Sequence, residues 1–140
     1  MKCLFCAIAA KEIASEVIYE DEKNLAFLDI HPRSPGHIMV IPKKHAEDIM
    51  GLSKSDLAPL FLAVQKVTAK IKDRLKPDGF TIGINQGKAS GQAVDHIHVH
   101  IIPRFSDDEG GSIHSVVDNP PKESIKEIAR KITGDISSKL

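Results

Sequence analysis

The chain has no excess of charge: 19 Lys and Arg offset 19 Asp and Glu over 140 residues. That removes the electrostatic basis for nucleic acid or an anionic membrane as a bulk partner. Long apolar runs are also missing. The opening "MKCLFCAIAAKEIASE" holds only a short apolar patch, broken by Lys11 and Glu12 and too brief for the core of a secretory signal, and no other stretch approaches a membrane span. A cytoplasmic protein with no membrane and no nucleic-acid partner is expected. Cysteine is nearly absent. Cys3 and Cys6 alone make no disulfide framework for a chain of this size, and in a reducing compartment so close a pair is more often a pair of metal ligands or a redox centre. No GxSxG motif, internal repeat or low-complexity segment occurs, so a serine nucleophile of the usual kind lacks support. What is present, 41% hydrophobic and 27% charged residues, suits one soluble domain spanning 1–140, which at this length buries roughly two-thirds of its unfolded surface.

"EVIYEDEKNLAFLDIHPRSPGHIMVIPKKH" reads as three short strands, roughly Val17 to Tyr19, Asn24 to Asp29 and His37 to Pro42, separated by the turn formers "EDEKN" and "HPRSPG". Connections that short force antiparallel neighbours. From Ser53, residues Leu57, Leu60, Phe61, Val64, Val67, Ile71 and Leu75 recur at helical spacing, with Ser53 and Asp56 as a cap pair and Pro59 near the helix start. Leu52, Ala58, Leu62, Ala63 and Ala69 lie off that face. One sheet covers only one side of such a helix, so the second stripe predicts a homodimer. "GFTIGINQ" reads as a strand, "GKASGQ" as a loop and "VDHIHVHIIPRF" as the final strand. Beyond it, "SDDEGGS" reads as a mobile loop. Ile125, Ile128, Ala129 and Ile132 then sketch an amphipathic helix after Pro120 and Pro121, making 106–140 a loop plus helix. The predicted class is α+β: an antiparallel sheet of about five strands with one long helix and a C-terminal helix.

Within the final strand, "DHIHVHIIPRF" sets His96, His98 and His100 at alternate positions. Extended backbone puts these imidazoles on one face and Ile97, Val99 and Ile101 on the other. A single strand histidine is more often a hydrogen-bonded, partly buried side chain; three in strict alternation are harder to assign that way. Residues two apart on a strand are separated by about 6.6 Å, which two imidazoles can close onto one zinc at roughly 2.0 Å, whereas four apart is about 13 Å. At most two adjacent members therefore share a metal. A histidine left over has a chemical use, because a neutral imidazole attacks phosphorus when Nε2 is unprotonated and Nδ1 donates to a fixed carbonyl. A flanking histidine can then manage the leaving-group proton or the phosphoryl charge. Cys3-x-x-Cys6 has the spacing of half a tetrahedral zinc site, or of a redox pair. A thioredoxin-like motif follows a strand, whereas only two residues precede this one, which argues for metal. The remaining ligands must come from histidines such as His31, His37, His45, His96 and His114.

These blocks resemble the histidine triad nucleotide hydrolases and transferases, whose signature His-φ-His-φ-His-φ-φ, with φ apolar, stands here as His96-Ile97-His98-Val99-His100-Ile101-Ile102. The resemblance extends over "CLFCAI", "LAFLDIHPRSPGHIMVIPKKH" and "INQGKASGQAVDHIHVHIIPR", nearly the whole chain up to Phe105. It implies a subunit that pairs through the long helix and a strand into a dimer with one continuous sheet, and chemistry at the α-phosphate of a purine nucleotide. Carried over by position, the family's nucleophile matches His98, and its phosphate or leaving-group partner matches His100. Asn85 and Gln92 match residues that orient the phosphoryl oxygens and leaving group, with Gly91 allowing close backbone approach. Asp29 matches the residue for the ribose hydroxyls, and Leu4, Phe5, Ile8, Phe27 and Ile30 match the apolar slot for the base. Without the resemblance, Asp29 is equally a turn-starting aspartate, and the apolar set equally core. Ala93 departs from the Ser or Thr of many relatives and removes a hydroxyl near the phosphate. A zinc-containing CxxC subset of the Hint-like branch implies Cys3, Cys6, His45 and His96 as ligands, with His45 as a helix cap the alternative. That zinc would be structural, since four protein ligands leave no open position. His114 receives no role, His31 and His37 are expected to be exposed or packed at their turn, and Lys43 and Lys44 form a solvated edge.

The resemblance implies a hydrolase that releases a purine nucleoside 5′-phosphate of the AMP type from a phosphoramidate, an acyl adenylate or a dinucleoside polyphosphate through a nucleotidyl-histidine. The family's uridylyltransferases resemble a triad ending in glutamine. His100 is retained here, which favours hydrolysis. The DNA-repair branch carries an added basic zinc finger, whereas the last residues here read as a short acidic loop and helix, so DNA is not the expected partner. Two alternatives stay open: a purine-nucleotide-binding regulatory module with vestigial catalysis, and a plain zinc protein whose triad organises the metal.

Overall fold

The computed structural model describes residues 3–134. Helix α1 (Leu4–Ala9) precedes strands β1 (Val17–Glu20), β2 (Asn24–Leu28) and β3 (Ile38–Pro42); helix α2 (Lys54–Leu75), strands β4 (Gly79–Gly83) and β5 (Val99–Arg104), and helix α3 (Ile125–Thr133) follow. The strands form one sheet in the order β1-β2-β3-β5-β4, and every neighbouring pair is antiparallel. The α+β class, the five-stranded sheet and both expected helices are present. Helix α1 lies outside the expectation, because six residues are too few for a helical period to emerge. The chain divides into two compact units, one up to Gly110 and one from Gly111. In the second, Ser124 and Glu127 form a reciprocal capping box that starts α3, whose Ile125 and Ile132 are exposed. Among the described residues no helix is long and apolar enough to cross a membrane.

Strand alternation sorts the first unit into two cores. Ala26, Ile38, Val40, Val99 and Ile101 point to one face and pack with Leu60, Ala63, Val64, Val67 and Ile71 of α2. Leu25, Phe27, Met39 and Ile41 point to the other and pack with Phe5 and Ile8 of α1. Because both faces are covered, β2 and β3 are buried almost continuously. The buried stripe of α2 differs in detail from the predicted one. Ala63 is buried, while Leu57, Phe61 and Leu75 are exposed, since the sheet meets the helix along a narrower line than seven apolar positions define.

Proline inside α2 is tolerated for a specific reason. Pro59 has no N–H to give the carbonyl of Ser55, and Lys23 Nζ donates to that carbonyl instead at 3.0 Å. The same ammonium meets Asp56 Oδ1 at 3.2 Å. The predicted cap pair forms between side chains: Ser53 is the N-cap, but its hydroxyl donates to Asp56 Oδ2 at 2.8 Å and accepts nothing from the backbone.

Two further expectations are corrected. The last strand starts at Val99, because the Ile97 amide donates to Ala46 O at 2.7 Å, outside the ladder, and the His96 amide turns back to Val94 O at 2.8 Å. The alternation survives, since Ile97 shares the α2-side core with Val99 and Ile101. The segment beyond Phe105, expected to be a mobile loop, is held at Asp108. Its carboxylate accepts from Arg104 Nε at 2.7 Å, Arg104 Nη2 at 3.0 Å and the amides of Phe105 and Gly110 at 2.9 and 2.8 Å, which together hold it well below the usual carboxylate range.

The turn before β3 depends on Gly36, which has φ +87° and whose missing Cβ would lie 2.5 Å from Leu75 Cδ1 and 3.2 Å from Pro103 Cγ. Leu75 can move; the Pro103 ring cannot. Gly36→Ala is expected to cost about 1–3 kcal/mol, read as a lower urea midpoint. An unchanged midpoint would show that this turn adapts freely.

Candidate active site and metal centre

Four ligand-type side chains converge where α1 meets the segment before β5. The ligand atoms of Cys3, Cys6, His45 and His96 all lie within 4.8 Å of one another. His96 Nδ1 is 3.4 Å from Cys3 Sγ and 3.5 Å from Cys6 Sγ, and His45 Nδ1 is 3.4 Å from Cys6 Sγ. Tetrahedral zinc, with bonds of about 2.3 Å to sulfur and 2.0–2.1 Å to nitrogen, spaces S and N by about 3.5 Å. The set also fits chemically. His96 Nε2–H donates to Pro42 O at 2.8 Å, which turns the lone pair of Nδ1 to the thiols. Burial and the neighbouring Cys3 push the Cys6 thiol up.

His98 lies on the same face, buried at 6% exposure. Its Nδ1 donates to the main-chain oxygen of His96 at 2.7 Å, which leaves Nε2 as the unprotonated nitrogen. Phe5 meets its ring edge-on at 4.9 Å and that of His96 at 6.0 Å, so α1 covers both imidazoles. His100, at a ring distance of 5.0 Å from His98, makes a different contact. Its Nδ1 lies 2.9 Å from Nε2 of His37. His37 Nδ1 in turn faces the Arg33 amide at 3.1 Å, and Nε2 lies 3.5 Å from Asp29 Oδ2. Burial first, then the neighbouring imidazoles His98 and His37, lower His100 to about 4, against a raising effect of Asp29. Burial likewise lowers His37. Both shifts favour the neutral form of the ring.

The other predicted residues divide. Asp29 is at once turn former and site neighbour: Oδ1 accepts from the His31 amide at 2.8 Å and Oδ2 faces His37. Gln92 is engaged by its own loop, accepting from the Gly87 amide at 2.8 Å and donating to Glu47 O and Val94 O at 2.8 and 3.0 Å. Asn85 is exposed just after β4, and Gly91, with φ +92°, has open space where a Cβ would stand. Phe5, Ile8 and Phe27 are core residues beside the triad, whereas Leu4 and Ile30 are exposed at 46% and 83%. Leu4 and Ala93 line an open cleft of about 360 Å³ beside Cys3 and His45, flanked by Glu47 and Asp95; His98 and His100 do not line it. His31 is exposed.

The residue that sequence reasoning missed is His37, which is buried at 3% exposure against the last triad histidine. Its position at the start of a strand that pairs with β5 was the available signal. Met39 stands opposite His100 in the register, which brings the residue two before it to the same face and end.

The comparisons with known proteins agree with this geometry. The HIT domain model matches residues 10–107, within the first compact unit. An adenosine 5′-monophosphoramidase of Schizosaccharomyces pombe is 36% identical over 136 residues, covering 97% of this chain and 99% of that protein. A bis(5′-adenosyl)-triphosphatase of Dictyostelium discoideum is 36% identical over 90 residues, covering 64% of this chain and 60% of that protein. The crystal structure of a HIT family protein from Bacillus anthracis superposes with a TM-score of 0.83 at 35% identity, over 99% of this chain and 97% of that one. A zinc-bound histidine triad family protein from Mycobacterium smegmatis does so with a TM-score of 0.74 at 35% identity, over 100% and 99% of the two chains. Because the HIT domain model matches well over half of the chain, the chain belongs to the HIT domain family.

Proposed function

We propose that this protein hydrolyses a purine nucleotide at its α-phosphorus, releasing AMP or a similar nucleoside 5′-phosphate from a phosphoramidate, an acyl adenylate or a dinucleoside polyphosphate. The observation that carries the reading is the 2.7 Å bond from His98 Nδ1–H to the His96 carbonyl, which fixes the tautomer and leaves the Nε2 lone pair for attack. In the first step Nε2 bonds to phosphorus as the bond from phosphorus to the leaving nitrogen or oxygen breaks, an amine taking up a proton from solvent as it departs, with His100 hydrogen-bonding to the leaving group or a phosphoryl oxygen. In the second, water breaks the P–N bond, giving the monophosphate and restoring His98. Asp29 serves the ribose hydroxyls, Asn85, Gln92 and Gly91 the phosphoryl oxygens and leaving group, and Leu4, Phe5, Ile8, Phe27 and Ile30 the base. Ala93 offers no hydroxyl there. The names of two relatives, a monophosphoramidase and a triphosphatase, support this substrate class. A cytoplasmic setting, where thiols stay reduced, suits the cysteine centre.

His98→Ala is expected to leave fold and AMP affinity nearly intact and to lower turnover of a fluorogenic adenosine phosphoramidate by at least about 10³-fold. His100→Ala should cost less. Turnover within about tenfold of the parent in His98→Ala would refute the covalent route. Nucleotide binding without turnover in the parent would select a regulatory module instead.

The metal reading predicts one structural zinc per chain, held by Cys3, Cys6, His45 and His96. Cys3→Ser should lower the thermal midpoint while some activity remains, since only part of the roughly 10–16 kcal/mol of zinc binding in small peptides appears as stability in a domain with its own core. Elemental analysis of protein never exposed to chelator checks it; zinc-free protein rules the site out.

The proposed assembly is a homodimer with a continuous sheet. Leu57, Phe61 and Leu62 leave an apolar stripe on α2, exposed at 36, 41 and 53%, and β4, which ends the sheet, exposes Ile82 at 41%. A second copy would cover stripe and edge together. Sedimentation at micromolar concentration should show twice the chain mass, and a monomer would reject the assembly.

A further inference from the structure

We infer that the main-chain amide of Arg33 is a positioning group for the His100 imidazole: it fixes the direction of the hydrogen bonds running through His37, so that His100 offers an N–H at Nε2 and not a lone pair. Between His37 Nε2 and His100 Nδ1, 2.9 Å apart, a neutral pair shares one proton. Either ring could carry it, and heavy-atom positions within the pair do not choose. The neighbours do. An amide N–H only donates, and that of Arg33 lies 3.1 Å from His37 Nδ1, so the lone pair of His37 is at Nδ1 and its proton at Nε2. An ionised carboxylate only accepts, and Asp29 Oδ2 lies 3.5 Å from that same Nε2. Both constraints give one direction: Arg33 N–H to His37 Nδ1, His37 Nε2–H to His100 Nδ1. His100 must then carry its proton on the far nitrogen.

The alternatives fail on contact. The opposite tautomer of His37 would turn an N–H toward the Arg33 amide and a lone pair toward Asp29. A doubly protonated His37 would keep the first clash, and burial opposes it against the raising effect of Asp29. The same reasoning bears on a metal. Asp29, His37 and His100 bring ligand-type atoms within 4.8 Å, but with its proton at Nε2 His37 has no lone pair to offer there. Turn chemistry makes Arg33 the donor. In "HPRSPG", Pro32 and Pro35 have no N–H, and the turn closes by the His37 amide donating to Ser34 O at 3.1 Å.

The consequence for catalysis rests on the nucleotidyl-His98 reading. His98 presents a lone pair and His100 a donor, with ring centroids 5.0 Å apart. The pair is thereby complementary to a phosphorus and to one of its oxygens. Reversed, the site would present two lone pairs to an anion.

Proton–nitrogen correlation spectra of the imidazoles at neutral pH test the direction in the unaltered protein. His37 and His100 should both be Nε2–H tautomers and His98 an Nδ1–H tautomer; an Nδ1–H tautomer at His37 or His100 overturns the inference. Two substitutions then separate the amide from the side chain. Arg33→Ala keeps the amide and should keep the tautomers. Arg33→Pro removes the amide, so the Nε2–H signal of His100 should weaken or vanish and kcat should fall at least about tenfold below that of Arg33→Ala, with KM little changed. Retained tautomers and equal kcat in the two variants would overturn the role of the amide. Reversed tautomers with equal kcat would uphold that role and refute instead the donor function of His100 in the proposed reaction. The parent spectra decide the direction whether or not Arg33→Pro folds.

Discussion

His96, with no exposed surface, is the point from which the site is hung. Its ring joins the cysteine cluster through Nδ1 and is anchored on the end of β3 through Nε2–H to Pro42 O. Its main-chain oxygen receives Nδ1–H of His98. One residue therefore links the N-terminal helix, the sheet and the proposed nucleophile. Displacing it would loosen all three at once, because a buried imidazole that loses a partner carries the full desolvation cost of its polar nitrogen.

The sheet makes this economy possible. Alternation sends Ile97, Val99 and Ile101 into the core beneath α2 and leaves the opposite positions for chemistry, and α1 then covers the chemical face with Phe5. A face made only of imidazoles would admit water from every side. With Phe5 at its edge, His98 is buried to 6% exposure, and a charge that meets it there interacts more strongly than it would in water.

Strand order and class were legible because apolar alternation and short turns leave few topologies open, and the predicted bounds of β1 to β3 lie within one residue of the observed ones. The cysteine and histidine cluster was legible through a family resemblance, not through spacing: His45 and His96 stand 51 residues apart (96 − 45) and only the fold brings them together. Helix α1 was hidden by its length. His37 was hidden for another reason. A histidine beside two prolines and a glycine reads as turn, and only the β3–β5 register, Met39 opposite His100, shows that its ring reaches the triad. Asp108 escaped because a "DDEGG" run looks solvated until a fork of Arg104 nitrogens claims one carboxylate.

Three histidines of identical intrinsic chemistry take three roles here, and what separates them is the partner of the second nitrogen. His96 gives one N–H to a carbonyl of a neighbouring strand, and its other nitrogen turns to soft sulfur ligands. His98 gives its N–H to the carbonyl two residues before it, a bond that holds the ring against its own backbone and directs Nε2 outward. His100 Nδ1 accepts a hydrogen bond from another imidazole, so its outward nitrogen is the donor. Exchanging the partners would exchange the roles, although nothing in the signature itself would change. The motif fixes that the rings share a face. The surrounding acceptors and donors, Pro42 O, His96 O and the Arg33 amide acting through His37, fix which ring turns a nitrogen to the sulfurs, which turns a lone pair outward and which turns an N–H outward.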